Sequence, residues 1–104
     1  MRYIVVLVTV PKKREARFIA SRLLDKKLAA CVNISSEIDS FFHWEGKIDN
    51  SQEYLLTIKT KKVLFPRLVK EIKSCHSYTV PEIIALPIVA GDKNYLDWID
   101  GSLG

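Results

Sequence analysis

The sequence contains few of the residues and patterns that mark secreted, membrane-bound or unstructured chains. Only two of its 104 residues are cysteine, whereas small secreted domains carry dense, even sets of them. No apolar run approaches the ~20 residues that span a bilayer, which excludes a membrane protein. Disorder requires low hydrophobicity and high net charge, yet 48% of the residues are hydrophobic at a net charge of +4. We expect one globular domain over residues 1–104, cytoplasmic, with Cys31 and Cys75 reduced.

What the chain does contain is a regular succession of apolar patterns. Residues 3–10 form an unbroken β-branched run, which indicates a central strand covered on both faces. Pro11 suits the first turn of a helix, along which Ala16, Ile19 and Leu23 repeat at helical spacing. Further strands are predicted over residues 28–34, 53–60 and 82–89. A second helix is predicted after Thr60, its expected N-cap, and a short third helix after Gly91-Asp92.

The order β-α-β-β-α-β, followed by an extra C-terminal helix, predicts an α+β fold of the ferredoxin-like type. Right-handed crossovers and short connections give an antiparallel sheet with strand order 4-1-3-2 and two helices on one face. Pro87 agrees with this order, because proline cannot donate to a ladder and is confined to edge strands such as the fourth.

The hairpin between the second and third strands is unusually long. Glu45-Gly46-Lys47 is its one strong turn signal, and Ser35-Ser36 could bulge the second strand without ending it. Each strand would then have roughly 14 to 17 residues, or about 50 Å at ~3.3 Å per residue. Its far half is apolar: Ile38, Phe41, Phe42, Trp44 and Ile48. Since exposed aromatic patches usually mark contacts, we predict that another copy of the chain covers this arm. The alternative is two short hairpins folded back over one monomer.

Two pairs of side chains are candidates for metal binding. Cys75 and His76 are adjacent in a short helix-to-strand connection, and thiolate with imidazole suits soft or borderline metals once a third ligand joins them. His43 and Glu45 would share a strand face, although an exposed hairpin end is the favoured interpretation of this pair.

Motifs of the common enzyme and RNA-binding classes are absent. The chain has no Gly-rich phosphate loop, no G-x-S-x-G elbow and no H-E-x-x-H helix. Residues 53–60 also lack the aromatic set that RNA-recognition domains carry on their third strand. We therefore predict a protein that is not an enzyme and binds neither nucleic acid nor membranes.

Five ordered motifs resemble those of the CutA family, the divalent-cation tolerance proteins. They are Ala30-Cys31-Val32-Asn33, Trp44-Glu45-Gly46-Lys47-Ile48, Ile58-Lys59-Thr60, His76-x-Tyr78-x-x-Pro81-Glu82 and Tyr95-Leu96-x-Trp98. The resemblance implies a ferredoxin-like fold, a homotrimer joined through long β arms, a cytoplasmic bacterial setting and divalent-metal binding, with copper as the main ion.

The resemblance assigns metal ligands only in part. Some bacterial members carry a cysteine at the position of Val8 and a His-His pair where this chain has Cys75 and His76. Val8 cannot ligate, so His76 and Cys75 are the predicted metal residues. Ser77 also replaces the proline usual between His76 and Tyr78.

A second implication concerns the clefts between subunits. Trp44, Lys59, Tyr78 and Glu82 could together line a small-ligand pocket, as in the similarly folded PII-type signalling proteins. The alternative function is accordingly a PII-like trimeric regulator or scaffold that binds a small anionic ligand or a protein partner at these clefts.

Overall fold

Strands and helices alternate along the chain in the computed structural model, which describes residues 2–104. The elements are β1 (Tyr3–Val10), α1 (Lys13–Asp25), β2 (Cys31–Trp44), β3 (Lys47–Lys61), α2 (Phe65–Cys75), β4 (Ile83–Pro87) and α3 (Lys93–Leu103), with a 3-10 turn (Lys62–Leu64) before α2. All neighbouring strands are antiparallel and the sheet order is β2-β3-β1-β4. This confirms the predicted α+β, ferredoxin-like arrangement with Pro87 in an edge strand.

The hydrophobic core lies between one face of the sheet and helices α1 and α2. Alternate residues of β1 from Ile4 to Val10 are buried on this face, as are Leu56 and Ile58 of β3. Helix α1 contributes Ile19 and helix α2 contributes Leu68, both fully buried in the same cluster. The apolar residues that recur every second position in the strands and about every 3.6 positions in the helices thus pack in one layer.

The opposite face of the sheet, which we call the open face, is only partly covered. It carries Leu7 of β1 and, on β4, Ile84 and Leu86, which are 50% and 51% exposed. Helix α3 lies against one end of this face, where its Asp100 contacts Tyr3 and Lys61. Much of the apolar surface of the open face therefore remains without a partner from residues 2–104.

The long hairpin is present as a single arm. Strands β2 and β3 have 14 and 15 residues and pair as far as Trp44 and Lys47. Glu45 and Gly46 close the turn with φ of +49° and +77°, the positive values that a two-residue hairpin requires. The predicted bulge lies between Ile34 and Glu37. The two-short-hairpin alternative is wrong.

Thr60, the expected N-cap of the second helix, does not cap it. It lies inside β3 opposite Ile4, fully buried, and its hydroxyl donates to the Leu28 carbonyl at 2.7 Å. The core side of β3 therefore continues through Thr60, and α2 begins only after the 3-10 turn, with no side-chain cap at Leu64.

Two strand limits and one residue pair also differ from expectation. Strand β2 starts at Cys31 because residues 26–30 form the turn and bend that follow α1, and β4 ends at Pro87. Glu45 lies in the hairpin turn and not on the strand, so it does not share a strand face with His43.

Candidate functional site

His76 lies at the end of α2 with its side chain fully buried and both ring nitrogens engaged. The backbone N–H of Tyr78 donates to Nδ1 at 2.9 Å, and Nε2 lies 2.8 Å from the Thr9 carbonyl oxygen. A backbone N–H can only donate and a carbonyl can only accept, so Nε2 carries the proton. The ring thereby joins β1 to the connection that follows α2.

The Cys75 thiol also has a hydrogen-bond partner, which lies in its own helix. Its Sγ donates to the Glu71 carbonyl oxygen at 3.3 Å. Burial raises the pKa of the thiol, because removal from water disfavours the charged form. The thiol is therefore protonated at neutral pH, and a metal would first have to displace that proton. Cys75 and Cys31 are both free and partly buried.

The predicted metal pair does not fit metal ligation in this arrangement. His76 has no free lone pair, since Nδ1 accepts and Nε2 is protonated. Val8, the position at which the resemblance implies a cysteine in some members, is apolar and fully buried. Across residues 2–104 no group of three or more His, Cys, Asp or Glu side chains is placed to hold a metal ion. Ligation by His76 and Cys75 stays a prediction.

Three of the four predicted pocket residues meet around one cleft between the arm and the connection after α2. The cleft has a volume of about 780 Å³, and Trp44, Tyr78 and Glu82 are among its lining residues. Lys59 is not. It pairs with Val5 of β1 and Cys31 of β2, whereas the cleft reaches Thr9, and its Nζ hydrogen-bonds Asn33.

Glu53 is one of the lining residues of this cleft that sequence reasoning missed. It is only 6% exposed, and its Oε2 accepts a hydrogen bond from the Tyr78 hydroxyl at 2.8 Å. Burial and this bond raise the pKa of Tyr78 to about 12, so the phenol keeps its proton at neutral pH. The available signal was a carboxylate at the start of the apolar run 53–60.

The connection that carries Tyr78 is fixed at both of its first two residues. His76 accepts from the Tyr78 N–H, and the two aromatic rings lie 5.0 Å apart. The backbone N–H and hydroxyl of Ser77 both donate to Glu15 of α1, at 3.0 and 3.1 Å. His76 is thus a positioning residue that orients Tyr78 toward Glu53.

Comparison with known proteins identifies one family. Residues 4–102 match the family described as CutA1 divalent ion tolerance protein. The chain belongs to the CutA1 family. The match covers nearly every element from β1 to α3 and confirms the family resemblance drawn from the five motifs.

Individual members of the CutA1 family are similar over almost the whole chain. The divalent-cation tolerance protein CutA of Thermus thermophilus is 48% identical over 96% of this chain and 97% of its own length. That of Archaeoglobus fulgidus is 52% identical over 91% and 92%. A structure of a periplasmic divalent cation tolerance protein CutA from Archaeoglobus fulgidus superposes with a TM-score of 0.95, at 48% identity over 98% and 99% of the two chains.

None of the helices within residues 2–104 combines the length and the apolar character needed to cross a bilayer.

Proposed function

We propose that this protein is a homotrimer acting in divalent-cation tolerance, with divalent metal ions, copper first among them, as its ligands. Membership of the CutA1 family and the names of its relatives support the general role. The structural observation that carries the proposal is that the sheet ends in two unpaired edges beside uncovered apolar surface.

The two edges suit contacts between copies of this chain. Strands β2 and β4 are the outer strands, and each has only one strand partner among residues 2–104. An unpaired edge is a template for pairing with another chain. If β2 of one copy meets β4 of the next, the contact is heterologous, and such contacts close into a ring when the rotation permits. Three copies form the ring that we propose.

Apolar surface beside these edges would be buried by the same contact. Ile84 and Leu86 of β4 are half-exposed, and Phe41 and Ile48 of the arm are 71% and 75% exposed. Burial stabilises by about 25 cal/mol per Å² of apolar surface. The ring therefore gains stability from the side chains that a monomer leaves in water.

Metal binding in this proposal depends on the assembly. A single chain brings no three candidate ligands together within residues 2–104. We therefore propose that the ligands come from more than one subunit. We place no metal ion on the cleft or on His76 in the single chain.

Titration of the intact protein with Cu²⁺ and Zn²⁺ by isothermal calorimetry tests this function. We expect saturable binding, tighter for copper, as the order of divalent-metal affinities predicts. Two variants, His76→Ala and Cys75→Ser, test the ligands predicted from the sequence, with Cys31→Ser as the matched thiol control. Curves equal to wild type would remove His76 and Cys75 from the site, and no binding of either metal would contradict the metal part of the proposal.

A PII-like role with a small anionic ligand receives less support from the cleft. Asp49, Glu53 and Glu82 line it, and its described lining includes no lysine or arginine. Three carboxylates repel an anion. The cytoplasmic location also stays a proposal, since the name of one Archaeoglobus relative calls that relative periplasmic.

A further inference from the structure

Positive charge is concentrated on one side of the molecule. Helices α1 and α2 with the residues beside them, 12–27 and 62–75, form what we call the helix layer, which packs on the core face of the sheet. This layer holds eleven of the sixteen lysines and arginines but only three of the twelve aspartates and glutamates. Its net charge is therefore +8, whereas the rest of the chain carries −4. A surface of this charge attracts anionic partners.

The cations of the helix layer are exposed and mostly unpaired. All of them except Arg22 are exposed. Arg22 and Lys26 pair with Glu71, and the other nine make no ion pair with any residue from 2 to 104. Glu15, a second carboxylate of the layer, accepts hydrogen bonds from Ser77. The layer therefore presents cationic groups that the carboxylates of a partner can neutralise.

The outer side of the helix layer lies away from the proposed contact between copies. That contact uses β2, β4, the arm and the open face, and none of these includes a residue of the helix layer. The apolar faces of α1 and α2 lie on the sheet, so their outer faces point away from it. The proposed homotrimer thus leaves this side of each subunit free.

An aromatic ring lies among these charges. Phe18 is 51% exposed on α1, and the Arg22 guanidinium lies 5.8 Å from the centre of its ring. Arg14 precedes Phe18 by one helical turn and Arg22 follows it by one turn, which places the ring between two arginines. Four of the five arginines of the chain belong to the helix layer. Arginine and aromatic side chains are enriched in protein–protein interfaces.

A nucleic acid or a membrane matches this surface less well than a protein does. Single-stranded nucleic acids stack successive bases on several rings, and Phe18 is the one exposed aromatic side chain within 12–27 and 62–75. A helix at a membrane surface inserts its apolar face, whereas the apolar faces of α1 and α2 are buried in the core. A protein segment can supply both carboxylates and a single apolar side chain.

We propose that the outer side of the helix layer binds an acidic segment of a partner protein, whose carboxylates pair with Arg14 and Arg17 while an apolar side chain packs on Phe18. A guanidinium group can form two parallel hydrogen bonds with one carboxylate, which a lysine ammonium cannot. The site is separate from any metal site, and it depends neither on metal binding nor on the number of copies.

A capped, fluorescent peptide of Glu-Glu-Leu repeats tests the proposal by fluorescence anisotropy on the intact, metal-free protein in about 0.15 M salt. We expect saturable binding. A peptide of Gln-Gln-Leu repeats keeps the apolar side chains, and it should bind about tenfold or more weakly because hydrogen bonds between charged groups are the strong ones. An oligothymidylate of equal charge and vesicles containing phosphatidylserine should each bind more weakly than the acidic peptide.

Two substitutions locate the site. Arg17→Glu should weaken binding of the acidic peptide about tenfold, because it replaces an attraction by a repulsion. Lys93→Glu changes the net charge equally and is the matched control, since Lys93 is exposed at the start of α3, outside the helix layer. Phe18→Ala should weaken the acidic peptide several-fold through the lost apolar contact. Circular dichroism shows that the variants fold.

Each contrary outcome overturns the proposal. Failure of the acidic peptide to saturate at millimolar concentration would show a merely solvated helix surface. Tighter binding of the oligothymidylate or of the vesicles would assign the layer to a nucleic acid or to a membrane. Equal loss in Arg17→Glu and Lys93→Glu would show a general charge effect, and unchanged binding in Phe18→Ala would remove the apolar contact. Because no metal is added, none of these results bears on metal binding.

Discussion

At the scale of single residues, His76 joins two segments that are distant in the sequence. Its ring holds the Thr9 carbonyl of β1 on one side and the Tyr78 N–H on the other, and its side chain has no exposed surface. Both partners are backbone groups, and a buried backbone group needs a partner. The position of Tyr78, and hence its bond to Glu53, depends on this ring together with the hydrogen bonds from Ser77 to Glu15.

We expect His76→Ala to lower the free energy of unfolding by about 1–3 kcal/mol, the usual loss when buried partners are left unsatisfied. Urea denaturation followed by tryptophan fluorescence measures this change. His43→Ala is the matched control, because His43 is exposed on the arm and its loss should change stability by less than about 0.5 kcal/mol. An equal, small effect in the two variants would contradict the structural role of His76.

At the scale of elements, α3 buries Ile99 and makes its polar contacts with the open face through Asp100. Its carboxylate accepts from the Tyr3 hydroxyl and from Arg2, and lies 3.3 Å from the Lys61 ammonium. The Tyr3 bond contributes most, followed by Arg2 and Lys61, and together they lower the pKa of Asp100 to about 2. Asp100 thus links α3 by polar contacts to the paired strands β1 and β3, at Tyr3 and Lys61.

This pKa predicts an acid-sensitive attachment of α3. A carboxylate whose folded pKa lies below its unfolded value stabilises the fold above the unfolded pKa. The unfolded value is 3.8, so the contribution is complete above about pH 5 and is lost as the pH falls through about 2. Trp98 fluorescence, recorded between pH 6 and pH 2 in a Trp44→Phe background, reports on α3 because Trp98 belongs to that helix.

Two substitutions check the assignment to Asp100. Asp100→Asn should lower the stability at pH 7 and remove this group's part of the acid dependence. Asp97→Asn is the control, since Asp97 is exposed and pairs only with Lys93 among the described residues. An acid profile of Asp100→Asn identical to wild type would refute the assignment.

Most elements could be predicted because their apolar periods are clear. The β-branched run of β1 marked its limits at Tyr3 and Val10, and Ser35-Ser36 marked the bulge. Thr60 was misplaced because a threonine that caps a helix and one that faces a core look alike in sequence. Only the tertiary partner, the Leu28 carbonyl, separates the two cases.

At the scale of the whole molecule, the cleft could be predicted only in part. Trp44, Tyr78 and Glu82 lie together as the family motifs implied, but Lys59 is displaced along β3. The sequence marked Glu53 only as a carboxylate at the start of an apolar run, and its bond to Tyr78 and the hydrogen bonding of His76 could not be found, because they depend on how β1, β3 and the connection after α2 are placed in space. The spacing of residues along the chain does not show which of these segments contact each other.

The whole molecule also leaves apolar surface that one chain cannot cover. Leu86→Asp places a charge on the open face, and we expect it to weaken a contact between copies that buries this residue. Val63→Asp is the control, because Val63 is equally apolar and 76% exposed but lies in the 3-10 turn before α2. Leu86→Asp should shift the protein toward smaller species, and Val63→Asp should not. Equal behaviour of the two variants would exclude β4 from the contact.

The mass of the protein in dilute solution tests the central claim most directly. Sedimentation equilibrium at low micromolar concentration should return three times the chain mass of 11.9 kDa. A value of 11.9 kDa under the same conditions would contradict the proposed homotrimer. The exposed arm and the two unpaired sheet edges would then have no partner of their own kind to cover them.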